Sequence, residues 1–195
     1  MLDRIRFVTG NSHKLAEARA ILNPLQPALE VLGYDGQAPV ESGATFLENA
    51  QIKARAGFAA SGEPCFADDS GICVAVMGGS PGIFSAIWSG TRSDKANRDL
   101  LLAQLADIPA DNRLASFVCT VVAVLAPDVE VAFTGVWSGS IAETARGEGG
   151  FGYDPVFVPD TFTVTAAELP DFLKNSISHR ALAMQQLGAY LASRS

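Results

Sequence analysis

The sequence predicts an α/β fold built on a mixed β-sheet flanked by helices. Strand-length apolar runs alternate with segments of helical periodicity along nearly the whole 195-residue chain. The middle then carries two consecutive β-rich runs, ASFVCTVVAVLA and VEVAFTGVWSGSI, joined by a turn at Pro127 and Asp128. Such a pair argues for a mixed sheet over a purely parallel one, and a doubly wound strand order does not follow. Hydrophobic residues at 48% and charged residues at 18% are ordinary for a folded protein, and the length allows one domain over residues 1–195 with a substantial core.

The elements follow in order. Ile5 to Thr9 reads as a buried strand, and a helix from Asn11 or Ser12 to about Leu22 places Leu15, Ala18 and Leu22 on one face, with Pro24 as its stop. Val31 to Tyr34 reads as a short strand. ATFLENAQIKARAGFAAS is a helix capped by Thr45, with Glu48 in capping-box position and Phe46, Ala50, Ala54 and Phe58 as its apolar stripe. PCFADDSGICVAVM is expected as strand, acidic turn and strand. GGSPG is a loop, and Ser93 to Ala106 a helix ending before Pro109. After the β-rich middle come a glycine-rich loop, ARGEGGFGYDP, a capped turn, TAAEL, and a last helix capped by Ser178 that carries Leu182, Leu187 and Leu191.

The formal net charge is −7, a poor basis for holding a nucleic-acid backbone, so no nucleic-acid partner is expected. One small anion can still be bound where the few cations converge. The four lysines are Lys14, Lys53, Lys95 and Lys174, and the histidines are His13 and His179. Cys65, Cys73 and Cys119 lack C-x-x-C spacing, which disfavours a disulfide framework or zinc site and fits a reducing cytosol. No apolar run reaches membrane length. A cytoplasmic protein without secretory leader or membrane partner is expected.

Five segments carry chemistry. Thr9, Gly10, Asn11, Ser12, His13 and Lys14 join the first strand to the first helix. Glycine lets the backbone approach an anion, the helix start offers N–H groups and a positive dipole end, and Lys14 adds a point charge. The Walker spelling is absent, so a P-loop NTPase is disfavoured. The plain alternative is a turn with an Asn cap. Asp68 and Asp69 in ADDSG suit Mg²⁺, or one of them a proton taken from water; the alternative is a turn with solvated aspartates. Glu41 precedes the helix on which Asn49 and Lys53, spaced i,i+4, share a face, and it could complete a metal site; the alternative is a solvated polar surface. In GEGGFGYDP, Phe151 and Tyr153 offer flat faces to a base and Asp154 an acceptor; the alternative is a loop with a buried aromatic anchor. Lys174, His179 and Arg180 gather near a helix start, where cations oppose the dipole and an anion or polar base edge would explain them, unless they form a solvated helix end. Phosphate cradle, carboxylate pair, lysine, base platform and cationic tail together describe a nucleotide hydrolase.

The same segments, TGNSHK, ESGATFLENAQIKA, ADDSG, GGSPGIFSA, GGFGYDP, TAAEL and ISHR, resemble in content and order the inosine/xanthosine triphosphate pyrophosphatases, nearly end to end. The resemblance implies an elongated mixed sheet flanked by helices, two lobes with a central cleft, and usually a homodimer. It implies Mg²⁺-dependent hydrolysis of ITP, dITP and XTP to the monophosphate and pyrophosphate. By position, Asp69 resembles the proton acceptor and a metal ligand, with Asp68 and Glu41 as acidic support at the metal. Thr9 to Lys14, Asn49 and the catalytic Lys53 resemble the triphosphate-side set, and Ser70 a substrate contact. Phe151, Gly152, Tyr153, Asp154, Lys174, His179 and Arg180 resemble the base-reading set. Discrimination would then fall on the purine 6-position, an oxo acceptor in inosine and xanthine and an amino donor in adenine. One departure is Ile87, where many relatives carry arginine after the Pro-Gly loop. Two alternatives stand beside this: a pyrophosphatase for other modified nucleotides, and a nucleotide-binding protein without turnover.

Overall fold

The computed structural model describes residues 2–194. Its sheet has six strands in the order β2-β1-β3-β4-β5-β6. β1 (Arg4–Phe7) pairs in parallel with β2 (Glu30–Gly33) and with β3 (Cys65–Val74), Phe7 lying opposite both Gly33 and Phe66. β5 (Val129–Ile141), which follows β4 (Leu114–Ala126), pairs antiparallel with β6 (Phe157–Pro159). The sheet is therefore mixed, as the β-rich middle predicts.

Contacts divide the chain into two compact units. Among the described residues the first comprises 2–69, 119–135 and 179–194, the second 70–118 and 136–178. Each has its own core. In the first, Ile5, Phe7, Leu22, Phe66, Val121, Met184 and Leu187 are buried together, with Phe7 stacked on Phe66 at 4.4 Å between ring centroids. A smaller cluster joins Val8, Ala50, Ala54, Cys65, Ala67 and Val122. In the second, Ile72, Leu101, Leu105, Phe117, Trp137, Val156 and Phe157 form the core, and Phe157 meets both Phe117 and Trp137 at an angle.

Helices of the first unit bring polar residues to the sheet. α1 (Ser12–Leu25) begins where the Asn11 carboxamide oxygen accepts from the backbone N–H of His13 and Lys14. Pro24, expected to stop the helix, lies inside its last turn, where it has no N–H for the Ala20 carbonyl, and the helix ends one residue later. α2 (Phe46–Ser61) begins with Thr45 accepting from Glu48 N, while the Glu48 carboxylate reaches back to Ala44 N, one residue beyond the expected box. Its buried face is Asn49, Ala50, Lys53, Ala54 and Gly57, rotated from the predicted stripe toward the polar side. α5 (His179–Ala192) packs closely, since a Cβ added at Gly135 would stand 2.1 Å from the His179 carbonyl oxygen.

The acidic turn expected at Asp68 and Asp69 is instead the middle of β3, an unbroken ten-residue strand. β3 lies between β1 and β4 in the sheet, pairing with β1 at Cys65 and Phe66, and cations described below balance the two carboxylates. In the second unit, α3 (Asp94–Gln104) is capped by the Ser93 hydroxyl. The short α4 (Asp171–Ile177) was not predicted and ends at Ser178, the joint before α5. The TAAEL turn forms the expected capping box between Thr165 and Glu168.

Candidate functional site

The first unit assembles a charged centre around β3. Successive side chains of a strand point to opposite faces, and this separates the two aspartates. Asp68 receives Lys14 Nζ at 2.9 and 3.0 Å on its two oxygens, and Arg180 at 3.2 and 3.3 Å. The buried Cys119 thiol lies 3.7 Å away. Arg180 in turn donates to Glu17 at 2.6 Å. Asp69 accepts from the Asn49 carboxamide at 3.1 Å and stands 3.6 Å from Lys53 Nζ, which bonds Glu41 at 2.9 Å. Asn49 also accepts from Gly43 N, tying the loop before α2 to the same point. The predicted i,i+4 pair Asn49 and Lys53 thus converges on one carboxylate.

The electrostatics of the two aspartates diverge. Burial opposes charge on Asp68, but Lys14, Arg180 and Lys53 outweigh it and hold its carboxyl well below the usual range. At Asp69 burial wins: its carboxyl lies above the ordinary value despite Lys53 and Asn49. Burial also opposes charge on Lys53, yet Asp68, Asp69 and Glu41 raise its pKa and keep it an ammonium. A buried carboxylate of raised proton affinity beside a fixed ammonium is suited to taking a proton from water while the cation steadies developing negative charge.

At the phosphate-loop segment, Thr9 Oγ1 accepts from Asn11 N at 3.1 Å and shapes the turn. The Asn11 oxygen accepts from His13 N and Lys14 N, the cap that the sequence offers as an alternative; this uses its acceptor and not its amide donors. A Cβ built on Gly10 meets nothing within 4 Å, so space lies open over this turn. Ser12 and His13 occupy the first turn of α1.

In the second unit, Lys174 and Asp154 form a buried ion pair at 2.7 Å. Asp154 also accepts from Phe151 N at 2.8 Å, and the Lys174 ammonium lies 5.2 Å from the Phe151 ring centroid. Tyr153 departs from expectation. It is 5% exposed, packs in the core and donates its hydroxyl to the Ser85 carbonyl, so it anchors the loop and offers no face for stacking. Ser70 is half-buried in β3. Arg180 also departs from expectation: placed with the base readers by sequence, it is 2% exposed and bound to Asp68 and Glu17 in the first unit. His179 is buried at the start of α5.

Among the described residues no three His, Cys, Asp or Glu side chains gather closely enough to hold a metal alone. Asp68, expected at the metal, has both oxygens taken by cations. Asp69 and Glu41 remain as hard oxygen donors, joined by a single lysine. A cation held by one or two carboxylates and completed by phosphate and water oxygens is the binding mode of Mg²⁺, so these two residues fit that ion.

Sequence reasoning missed Glu17, Cys119, Ser85, Asp94 and Arg98. Glu17 lies three residues after Lys14 on α1, a spacing that puts both on one helix face. Cys119 carried no signal beyond its apolar strand.

A model of the Ham1 family matches residues 5–190. The chain is 51% identical over 181 residues to the dITP/XTP pyrophosphatase of Leifsonia xyli subsp. xyli, covering 92% of this chain and 91% of that one. It is 47% identical over 196 residues to the dITP/XTP pyrophosphatase of Nocardia farcinica, covering 97% and 95%. The structure of a HAM1 protein from Coxiella burnetii matches with a TM-score of 0.88 at 37% identity, covering 99% of this chain and 100% of that one. A nucleoside-triphosphatase / dITP/XTP pyrophosphatase from Mycobacterium abscessus matches with a TM-score of 0.76 at 42% identity, covering 96% and 98%. With the family model and these relatives aligned over almost its whole length, the chain belongs to the Ham1 family.

Proposed function

We propose that this protein hydrolyses deaminated purine nucleoside triphosphates, ITP, dITP and XTP, to the monophosphate and pyrophosphate, clearing them from the nucleotide pool. The relatives named for dITP and XTP support the substrate class. The observation that carries the chemistry is the pairing of consecutive aspartates with lysines from two different helices, Lys14 with Asp68 and Lys53 with Asp69.

In this reading Asp69 accepts a proton from the water that attacks the α-phosphorus, and Asn49 orients the carboxylate. Lys53 stabilises negative charge on the transferring group. Asp69 and Glu41 would hold Mg²⁺, which would supply further neutralisation of negative charge on the triphosphate. Lys14 turns from Asp68 to the phosphates, which approach over Gly10 and the start of α1 with Ser12 and His13. Arg180 makes that exchange affordable, because Asp68 keeps one buried cation when the other leaves. Phe151, Gly152, Asp154, Lys174 and His179 are assigned to the base, with Ser70 as a further substrate contact. The same reading has the protein as a cytoplasmic homodimer; sedimentation tests the dimer, in which exposed apolar side chains such as Val76, Phe84 and Ile87 would be covered.

Pyrophosphate release is measured over a panel of nucleoside triphosphates with and without Mg²⁺, and in ¹⁸O-labelled water. ITP, dITP and XTP are cleaved in preference to ATP, and label enters the monophosphate. Label in pyrophosphate excludes α-attack, and equal turnover of ATP excludes the substrate class.

A further inference from the structure

Two side chains that the reaction above does not use grip the glycine-rich loop of the second unit. Gly147, Gly150 and Gly152 have φ of 82°, 70° and 61°, so the loop contains little intrinsic stiffness. At Gly152 the backbone is held at both polar groups. Its N–H donates to Asp94 Oδ2 at 2.8 Å, and its carbonyl accepts from Arg98 Nη1 at 2.6 Å. Asp94 and Arg98 are one turn apart on α3 and share a face. α3 is itself a firm base. Ser93 caps it, Asn97 bonds Ser89 N and the Ala86 carbonyl, and Leu101 is fully buried. Asp94 also stands in the first turn, where the helix dipole favours a carboxylate. Gly152 has no side chain to pack, and a Cβ built there meets open space, so these backbone bonds tie its position to α3.

The neighbours of Gly152 are the polar and aromatic groups of the loop. Phe151 precedes it, with its N–H on Asp154 and its ring beside Lys174; Tyr153 follows, anchored to Ser85. Releasing Gly152 would loosen the backbone next to Phe151, which is still tied to Asp154, while the Tyr153 anchor keeps the loop attached. We propose that Asp94 and Arg98 are positioning residues that hold Phe151 and Asp154 in register, and so set the choice of base. This rests on the reading that the 147–155 loop contacts the base.

The test is steady-state kinetics on the full chain with ITP and GTP. Arg98→Ala and Asp94→Ala are compared with Arg98→Lys, Asp94→Asn and, as a reference for the loop itself, Phe151→Ala. The alanine variants raise KM for ITP roughly tenfold, leave kcat within about twofold and narrow the preference for ITP over GTP. Asp94→Asn keeps an acceptor and Arg98→Lys a donor, so both recover much of the preference. Asp94 is exposed, so its alanine variant remains informative if Arg98→Ala folds poorly. If Phe151→Ala changes the preference and neither alanine variant does, the clamp is overturned while the base-reading loop stands. If Phe151→Ala also leaves it unchanged, the loop reading and the proposal on it both fall. Equal losses of kcat/KM for every nucleotide, with kcat falling, overturn the proposal in favour of a purely structural role.

Discussion

Asp68 and Asp69 are adjacent in β3 yet belong to different charge environments: Lys14 and Arg180 neutralise the first, while Asn49 and Lys53 leave the second only partly compensated. Strand geometry creates the difference, because neighbours on a strand cannot share a face. The same Asp-Asp pair in a turn would have exposed both carboxylates to water and given them similar proton affinities. Placed on a central strand, one becomes a permanent anion and the other a titratable base.

Neutral amides at the two positions separate these roles. Asp69→Asn abolishes most pyrophosphate release, yet the protein folds, and its denaturation midpoint is unchanged or higher because a costly buried charge is gone. Asp68→Asn leaves Lys14 and Arg180 without their shared carboxylate, and breaking such a buried pair costs about 3–5 kcal/mol. Urea denaturation beside a pyrophosphate assay checks both. Wild-type turnover in Asp69→Asn removes that residue from the mechanism.

The pH dependences have opposite signs. Without metal, burial raises the proton affinity of the Asp69 carboxyl above the ordinary carboxylate value. For stability, the native state binds this proton more tightly than the unfolded chain does. The contribution of Asp69 therefore falls as pH rises from about 3.9 through the folded value. Asp68 has a depressed folded pKa, so its stabilisation is complete above about 3.9 and is lost as pH falls below that. Urea midpoints against pH should show the acid loss shrink in Asp68→Asn, while Asp69→Asn removes the fall in stability toward higher pH.

Much of this was legible in the sequence because short-range rules decide it. Asn11 and Thr45 are caps, the Pro127–Asp128 turn joins two strands, and the i,i+4 spacing of Asn49 and Lys53 is enough to aim both at one target. What stayed hidden depends on partners far away in the chain. The continuation of β3 through Asp68 rests on Lys14, 54 residues earlier, and Arg180, 112 residues later. Tyr153 looked like a stacking platform, and only its bond to Ser85, 68 residues earlier, shows it to be an anchor. Periodicity reads one segment at a time and carries no information on such pairs.

Gly10 and Gly135 give a contrast between ligand space and packing space. A methyl at Gly10 meets nothing within 4 Å, so Gly10→Ala leaves stability within about 0.5 kcal/mol while weakening triphosphate binding, if phosphate fills the open space over the turn. A methyl at Gly135 would sit 2.1 Å from the His179 carbonyl and 2.7 Å from Ala183 N. Gly135→Ala therefore forces β5 and α5 apart and costs about 1–3 kcal/mol. Thermal denaturation with and without a non-hydrolysed nucleotide analogue distinguishes them. Wild-type nucleotide affinity in Gly10→Ala would show that the open space is not the phosphate site.

Arg180 provides the sharpest division between reading a base and managing charge. It is almost fully buried, and Glu17 and Asp68 raise its pKa against the cost of burial, so it is a fixed cation. Arg180→Met would leave Lys14 as the remaining close cation on Asp68. Withdrawing Lys14 toward phosphate would then strand a buried carboxylate, so Lys14 stays where it is. The expected result is a rise in KM of about tenfold, equivalent to about 1.4 kcal/mol, shared by ITP, XTP and ATP alike. Stability falls as well, by about 3 kcal/mol, because a buried pair loses one partner. A base-reading arginine predicts something else: loss confined to ITP and XTP, with ATP cleavage unchanged or improved. Kinetics with the three nucleotides decide between them, and an effect restricted to the 6-oxo purines would move Arg180 from the phosphate side of the mechanism to the base.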